Sequence, residues 1–80
     1  MKFDDSVDFH EFTASEMTAW LERTWSTRRW HGIRRVRVIH GRGDVLPSVL
    51  RAWCEQKGIP WDCLVDSVKS ALAVGDRANS

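Results

Sequence analysis

The chain has 80 residues, a formal net charge of +1 and 42% hydrophobic residues, five of them tryptophan. Such a length makes one small domain, 1–80, that buries only about 60–65% of its unfolded surface. No apolar run approaches the ~20 residues of a membrane helix and no signal-peptide core is present, so the expected setting is cytoplasmic, without a membrane partner.

The small net charge hides an asymmetry. Residues 1–22 hold Asp4, Asp5, Asp8, Glu11, Glu16 and Glu22 against Lys2 alone. From Arg23 to Gly43 there is no acid, but there are arginines at 23, 28, 29, 34, 35, 37 and 42. A polyanion partner fits this distribution, and so does a plain solvated face. Cys54 and Cys63 lack a second pair or a C-x-x-C spacing, and are expected to be buried free thiols.

In chain order, Val7 to His10 alternates apolar and polar residues like a short strand. Thr13 and Glu16 form a capping-box pair, with Phe12 and Met17 placed for a hydrophobic staple. Met17, Trp20, Leu21 and Thr24 then continue one helix face, which Gly32 is expected to end. Arg35 to His40 reads as a strand, with Val36 and Val38 on one face and Arg35, Arg37 and Ile39 on the other. After the Gly41-Arg42-Gly43-Asp44 turn, Leu46, Val49, Leu50 and Trp53 mark a second helix. Pro47 falls in its first turn, and Gly58 and Pro60 end it. The remaining stretch supports either a third strand around Cys63–Asp66, the preferred reading, or a helix capped by Asp62. Residues 75–80 are expected to form a flexible tail.

This order predicts an α/β two-layer sandwich, βαβα(β), in which a small mixed sheet has both helices on one face. His10 and His40 would then emerge at the carboxyl ends of neighbouring parallel strands, where ligands of such units bind. Gly41 and Gly43 allow close backbone approach, and the following helix N-terminus favours an anion such as phosphate. An imidazole can move protons near neutral pH, Asp8 or Asp44 can orient one, and Arg42 offers a fork for phosphate. A divalent metal held by His10, His40, Asp8 and Asp44 is a further reading, without diagnostic ligand spacing. Arg28, Arg29, Arg34 and Arg35 fall at the opposite edge, about 20 Å away at ~3.3 Å per strand residue. Arg37 on the open sheet face and stacking by Trp30 and His31 would let a nucleic acid use both regions. Trp20, Trp25 and Trp53 read as core.

Strand, His turn, helix, strand and H-G-x-G before a second helix together resemble the Smr (small MutS-related) domain. The family's L-D-L-H-G-type motif is matched by Val7-Asp8-Phe9-His10-Glu11, and its H-G-x-G motif by His40-Gly41-Arg42-Gly43. The likeness runs from about Val7 to Trp61. It implies a sandwich similar to the C-terminal domain of a bacterial translation initiation factor. It also implies binding of DNA or RNA, with nicking or cleavage in several members. By position, Asp8, His10 and His40 would be catalytic residues, and Gly41, Arg42, Gly43 and Arg37 would bind nucleic acid. In such a mechanism His10 or His40 activates water or protonates the leaving oxygen, and Asp8 orients an imidazole or holds a divalent ion. Members occur fused to larger proteins or alone, so a fusion partner or an oligomer fits equally. Two departures stand out. Glu11 replaces the glycine that usually follows the first histidine, and the final G-x-T-V-V-x-L-like strand has no counterpart, so the chain is either truncated or closes its sheet differently. The alternatives to a nicking endonuclease are a non-catalytic nucleic-acid or ribonucleoprotein-binding module and a protein-interaction domain with exposed tryptophans.

Overall fold

The computed structural model describes residues 3–64 and 68–76. Its elements are β1 (Asp5–Asp8), α1 (Ala14–Ser26), β2 (Val36–Ile39), α2 (Val45–Lys57), β3 (Trp61–Cys63), β4 (Lys69–Leu72) and a 3-10 turn at Val74–Asp76. The sheet order is β1-β2-β4-β3. β1 and β2 pair in parallel with Val7 opposite Val38, as βαβ connectivity requires, whereas β4 is antiparallel to both β2 and β3.

Alternation along the strands sends Val7, Val36, Val38 and Leu72 into one core. Met17 and Leu21 of α1 and Leu50, Trp53 and Cys54 of α2 complete that core. A buried side chain of this size contributes about 1.5–3 kcal/mol. The helices meet through the Trp25 and Trp53 rings, 5.6 Å apart, and through Trp53 Nε1, which donates to Glu22 Oε2 at 2.7 Å. The sheet and its two helices form the small mixed α/β fold expected from the pattern. Trp20, Trp25 and Trp53 all pack in or against its core.

Local chemistry sets most boundaries. Thr13 Oγ1 accepts from the Glu16 amide and Glu16 Oε1 from the Thr13 amide, the reciprocal box that starts α1. Gly58 closes α2 in a left-handed conformation, φ 73°. The end of α1 differs from expectation: the helix stops at Ser26, six residues before Gly32. Arg28 adopts φ 61°, its amide meets Trp25 O, and the Arg29 amide meets Thr24 O. That paired pattern caps a helix and normally selects glycine; an L-residue there costs about 1 kcal/mol.

The stretch after Pro60 holds two strands, with β4 inserted between β2 and β3. Ala71 and Leu72, which also fitted a helical spacing, are strand residues. Of the expected Cys63–Asp66 strand, only Cys63 is in β3, while Val65 and Asp66 lie outside the described residues. Val74 is buried and the Gly75 amide donates to Arg34 O at 3.1 Å, so the segment expected as tail is anchored at its start. Residues 77–80 lie outside the described residues. Cys54 is a buried free thiol, pushed up to about 12 by desolvation; Cys63 is also free, but exposed rather than buried.

Candidate nucleic-acid interface

β1 ends because its last side chain turns back on the chain. Asp8 Oδ1 accepts from the His10 amide at 2.9 Å and faces His10 Nδ1 at 2.6 Å. The amide commits the backbone to a turn, and the ring contact fixes the imidazole, which remains about half exposed at 53%. The same contacts couple the two ionisations. The His10 amide and then its ring hold the Asp8 carboxyl below its usual range. The Asp8 hydrogen bond, joined by Glu11, holds His10 above the ordinary imidazole value. Glu11 Oε2 lies 3.4 Å from His10 Nε2, so both ring nitrogens face carboxylates.

His40 is placed differently. It is only 3% exposed, on the helix-facing side of the sheet. Its Nδ1 lies 3.0 Å from Gly41 O and its Nε2 3.0 Å from Ser70 Oγ. A carbonyl can only accept, so Nδ1 donates to Gly41 and Nε2 takes the serine hydroxyl. The amides of His40 and Gly41 both donate to Val68 O, at 2.9 and 3.2 Å. His40 therefore ties the glycine turn to β4 from beneath.

Gly41 joins the two turns. Its φ is +75°, and a Cβ built on it would lie 3.1 Å from His10 Cβ and 3.7 Å from His10 Cα. Only glycine meets both requirements. Gly43 is at φ +108° with open space around it, so there the backbone angle alone demands glycine. Arg42 between them is exposed. Asp44 precedes α2 without capping it. The amides of Gly43, Val45 and Leu46 have no hydrogen-bond partner among the described residues. Pro47 has no N–H to contribute. Unpaired amides at a helix start form a positive, directional site for an anion.

Thus Asp8, His10, Gly41, Arg42 and Gly43 converge at one sheet edge, with His40 directly below them. Arg37 stands two residues back along β2 on the open face. Its Nε donates to Ser6 Oγ at 3.2 Å and its guanidinium lies 5.8 Å from the Phe3 ring centre. Asp44 does not join the histidines: no group of three or more His, Cys, Asp or Glu residues is placed to hold a metal among the described residues. Asp8, His10, His40 and Asp44 thus do not form a four-ligand metal set.

At the opposite edge the side chains of Arg28 and Arg29 are engaged, while Arg35 Nε is buried without a hydrogen-bond partner among the described residues. Arg29 lies 3.9 Å from Asp5 and stacks 5.1 Å from the Trp20 ring centre. Arg28 faces His31 at 3.1 Å, and Asp4 takes the backbone amides of Arg34 and Arg35. Trp30 is 5% exposed and its Nε1 donates to Asp5 Oδ2 at 3.0 Å, which removes it as a base-stacking platform. Its polar neighbours Arg29 and His31 disguised a core residue. Ser70 and the Val68 carbonyl carried no signal in the sequence, because their roles exist only once β4 lies beside β2. The Glu11 contact did carry one: an acid directly follows the histidine.

The Smr domain family model matches residues 7–74 of this chain. Among solved structures, the fold is similar to the Smr domain of Thermus thermophilus MutS2, with a TM-score of 0.71 and 20% identity over 86% of this chain and 95% of that one. A comparison with curated protein sequences gave no match. The family match spans most of the chain, which therefore belongs to the Smr domain family, a group of nucleic-acid-binding domains with nicking activity in some members. No helix among the described residues is long and apolar enough to cross a membrane.

Proposed function

We propose that this Smr domain binds DNA or RNA at the glycine-turn edge and nicks the phosphodiester held there. The observation that carries the reading is the packing of Gly41 on His10, which sets a protonatable imidazole beside helix-start amides that have no partner among the described residues. A phosphate seated on the Gly43, Val45 and Leu46 amides would place its oxygens within reach of His10 and Arg42. Because Asp8 raises the His10 pKa, His10 suits proton donation to the leaving oxygen better than proton abstraction. Asp8 holds the ring, while the amides and Arg42 offset charge that builds on phosphorus in the transition state. His40 is buried, so its proposed part is to position the turn that carries Gly41, not to touch substrate. Arg37 adds a phosphate contact on the open face, without sequence preference.

The contact of Glu11 with His10 Nε2 favours a second reading, a binding module that does not cleave. Its carboxylate occupies the nitrogen that would face substrate, and its side chain is exposed enough to move. One experiment separates the readings: nicking of supercoiled plasmid and of structured RNA by wild type and His10→Ala, alongside salt-dependent binding. The catalytic reading expects a loss of cleavage of about 10²-fold or more with the fold intact. Equal cleavage by the variant would sink it. Steeply salt-dependent binding with no cleavage by either protein would establish the module.

A further inference from the structure

β3 lies beyond β4, so Cys63 and Ser70 share the sheet edge of His10 and Gly41 but stand on the far side of the glycine turn. Between them and the first two turns of α2 lies a cleft of about 200 Å³. Asp44, Ser48 and Arg51 line it on one side, Trp61 and Cys63 of β3 and Ser70 of β4 on the other. Its chemistry is that of a binding site more than of a packing gap. One indole is surrounded by a carboxylate, two hydroxyls, a thiol and a guanidinium. The Arg51 guanidinium lies 5.5 Å from the Trp61 ring centre, and Arg51 is exposed. Asp44 makes no capping bond, so its carboxylate is available as an acceptor. Ser70, which lines the cleft, is the residue whose hydroxyl bonds His40, so cleft and glycine turn share a wall.

We infer that this cleft receives an unpaired nucleobase from the strand whose phosphate sits on the glycine turn, which makes the preferred substrate single-stranded or locally unpaired nucleic acid. The inference rests on the nucleic-acid reading above and deepens it. A nucleobase presents a flat face to Trp61 and Arg51, and an edge whose amino or imino donors suit Asp44 and whose acceptors suit the Ser48 hydroxyl, the Ser70 proton being held by His40. A base inside a duplex has both faces stacked and its pairing edge occupied, so it must leave the stack to enter. Three strand spacings of about 4.8 Å separate β1 from β3, which puts the cleft about 14 Å across the edge from His10. The glycine turn lies between them, so one strand can engage His10, the amides and the cleft in sequence.

Cys63 gives a direct readout. It is an exposed thiol inside the cleft, and the chain's other cysteine, Cys54, is buried with its ionisation suppressed. Maleimide labelling of Cys63 would be followed in the whole chain alone, with a short single-stranded oligonucleotide, with an abasic oligonucleotide of equal length, and with a duplex. Binding of each probe would be measured in parallel by anisotropy. The single strand is expected to slow labelling by about tenfold while bound abasic and duplex probes leave it nearly unchanged. Arg51→Ala should weaken single-strand binding by about tenfold, the worth of one stacked base, and leave abasic binding unaltered. Bound single strand without protection, or equal protection by the abasic probe, overturns the inference while leaving nucleic-acid binding in place. Failure of every probe to bind removes the nucleic-acid reading itself.

Discussion

At one edge of the sheet, His10 and Arg42 stand beside a glycine turn and a row of amides with no partner among the described residues. At the other, the arginines at 28, 29 and 35 lie against His31, Asp5 and Trp20, and Phe3. The second edge has more cationic residues, yet the first presents backbone amides of a helix start that have no partner among the described residues. Counting charges along the chain points to the arginine edge; the fixed orientation of helix-start amides points to the glycine-turn edge. An anion gains most where donors are already oriented and have nothing else to bond, since no internal contact must break first.

The two histidines repeat the contrast within a single edge. His10 is exposed and charge-coupled to carboxylates, whereas His40 is buried and hydrogen-bonded at both nitrogens. The largest expected effect follows from that difference. His40→Ala should lower stability by about 3 kcal/mol, because it opens a cavity and strands the Ser70 hydroxyl. Chemical denaturation would measure it, and an unshifted midpoint would show that His40 is not the anchor of the turn. Gly41→Ala comes next, at about 2 kcal/mol, from a left-handed alanine whose Cβ presses on His10. It should weaken nucleic-acid binding as well; normal affinity would uncouple the two turns.

Glu11→Gly tests the exposed histidine. Removing the carboxylate from His10 Nε2 should raise affinity for a short oligonucleotide by about fivefold at low salt. Affinity should fall as pH rises through a midpoint above the ordinary imidazole value of 6.5, because the raised His10 pKa keeps the cation present below that midpoint and loses it above. Asp8 is the largest cause, so Asp8→Asn should move the midpoint down further than Glu11→Gly does. A proton-resonance titration of His10 would read both shifts, and an Asp8→Asn midpoint equal to wild type would remove the dyad. The smallest effect belongs to the other edge. Arg28→Gly should relieve the left-handed helix cap, raise stability by about 1 kcal/mol, and change binding by less than about twofold. A large loss of affinity would return the arginine edge to the interface.

What was readable in the sequence was what short-range chemistry decides. The Thr13–Glu16 box closes over three residues, Gly58 caps its own helix, and the alternation from Arg35 to His40 commits each side chain to a face. The order of motifs around two short strands was sufficient to indicate the family and to bring Asp8, His10 and the H-G-x-G turn to one edge. Residues 61–72 were not readable in the same way. Their apolar positions are too few to separate a period of 2 from one of 3.6, and the register that makes Lys69–Leu72 a strand is supplied by β2, and that of Trp61–Cys63 by β4 in turn.

By itself, then, the chain determined the start of its first helix, its second helix, the faces of its first two strands and its glycine turn, because those depend on hydrogen bonds, sterics and alternation within a few residues. Tertiary structure alone decided which histidine is exposed, which arginines are engaged, and why residue 41 must be glycine. Each of those depends on a group about thirty positions away, such as Ser70 for His40, Asp5 for Trp30 and His10 for Gly41. Local propensity has no term for such a neighbour, since the contact exists only after the sheet has brought the two segments together.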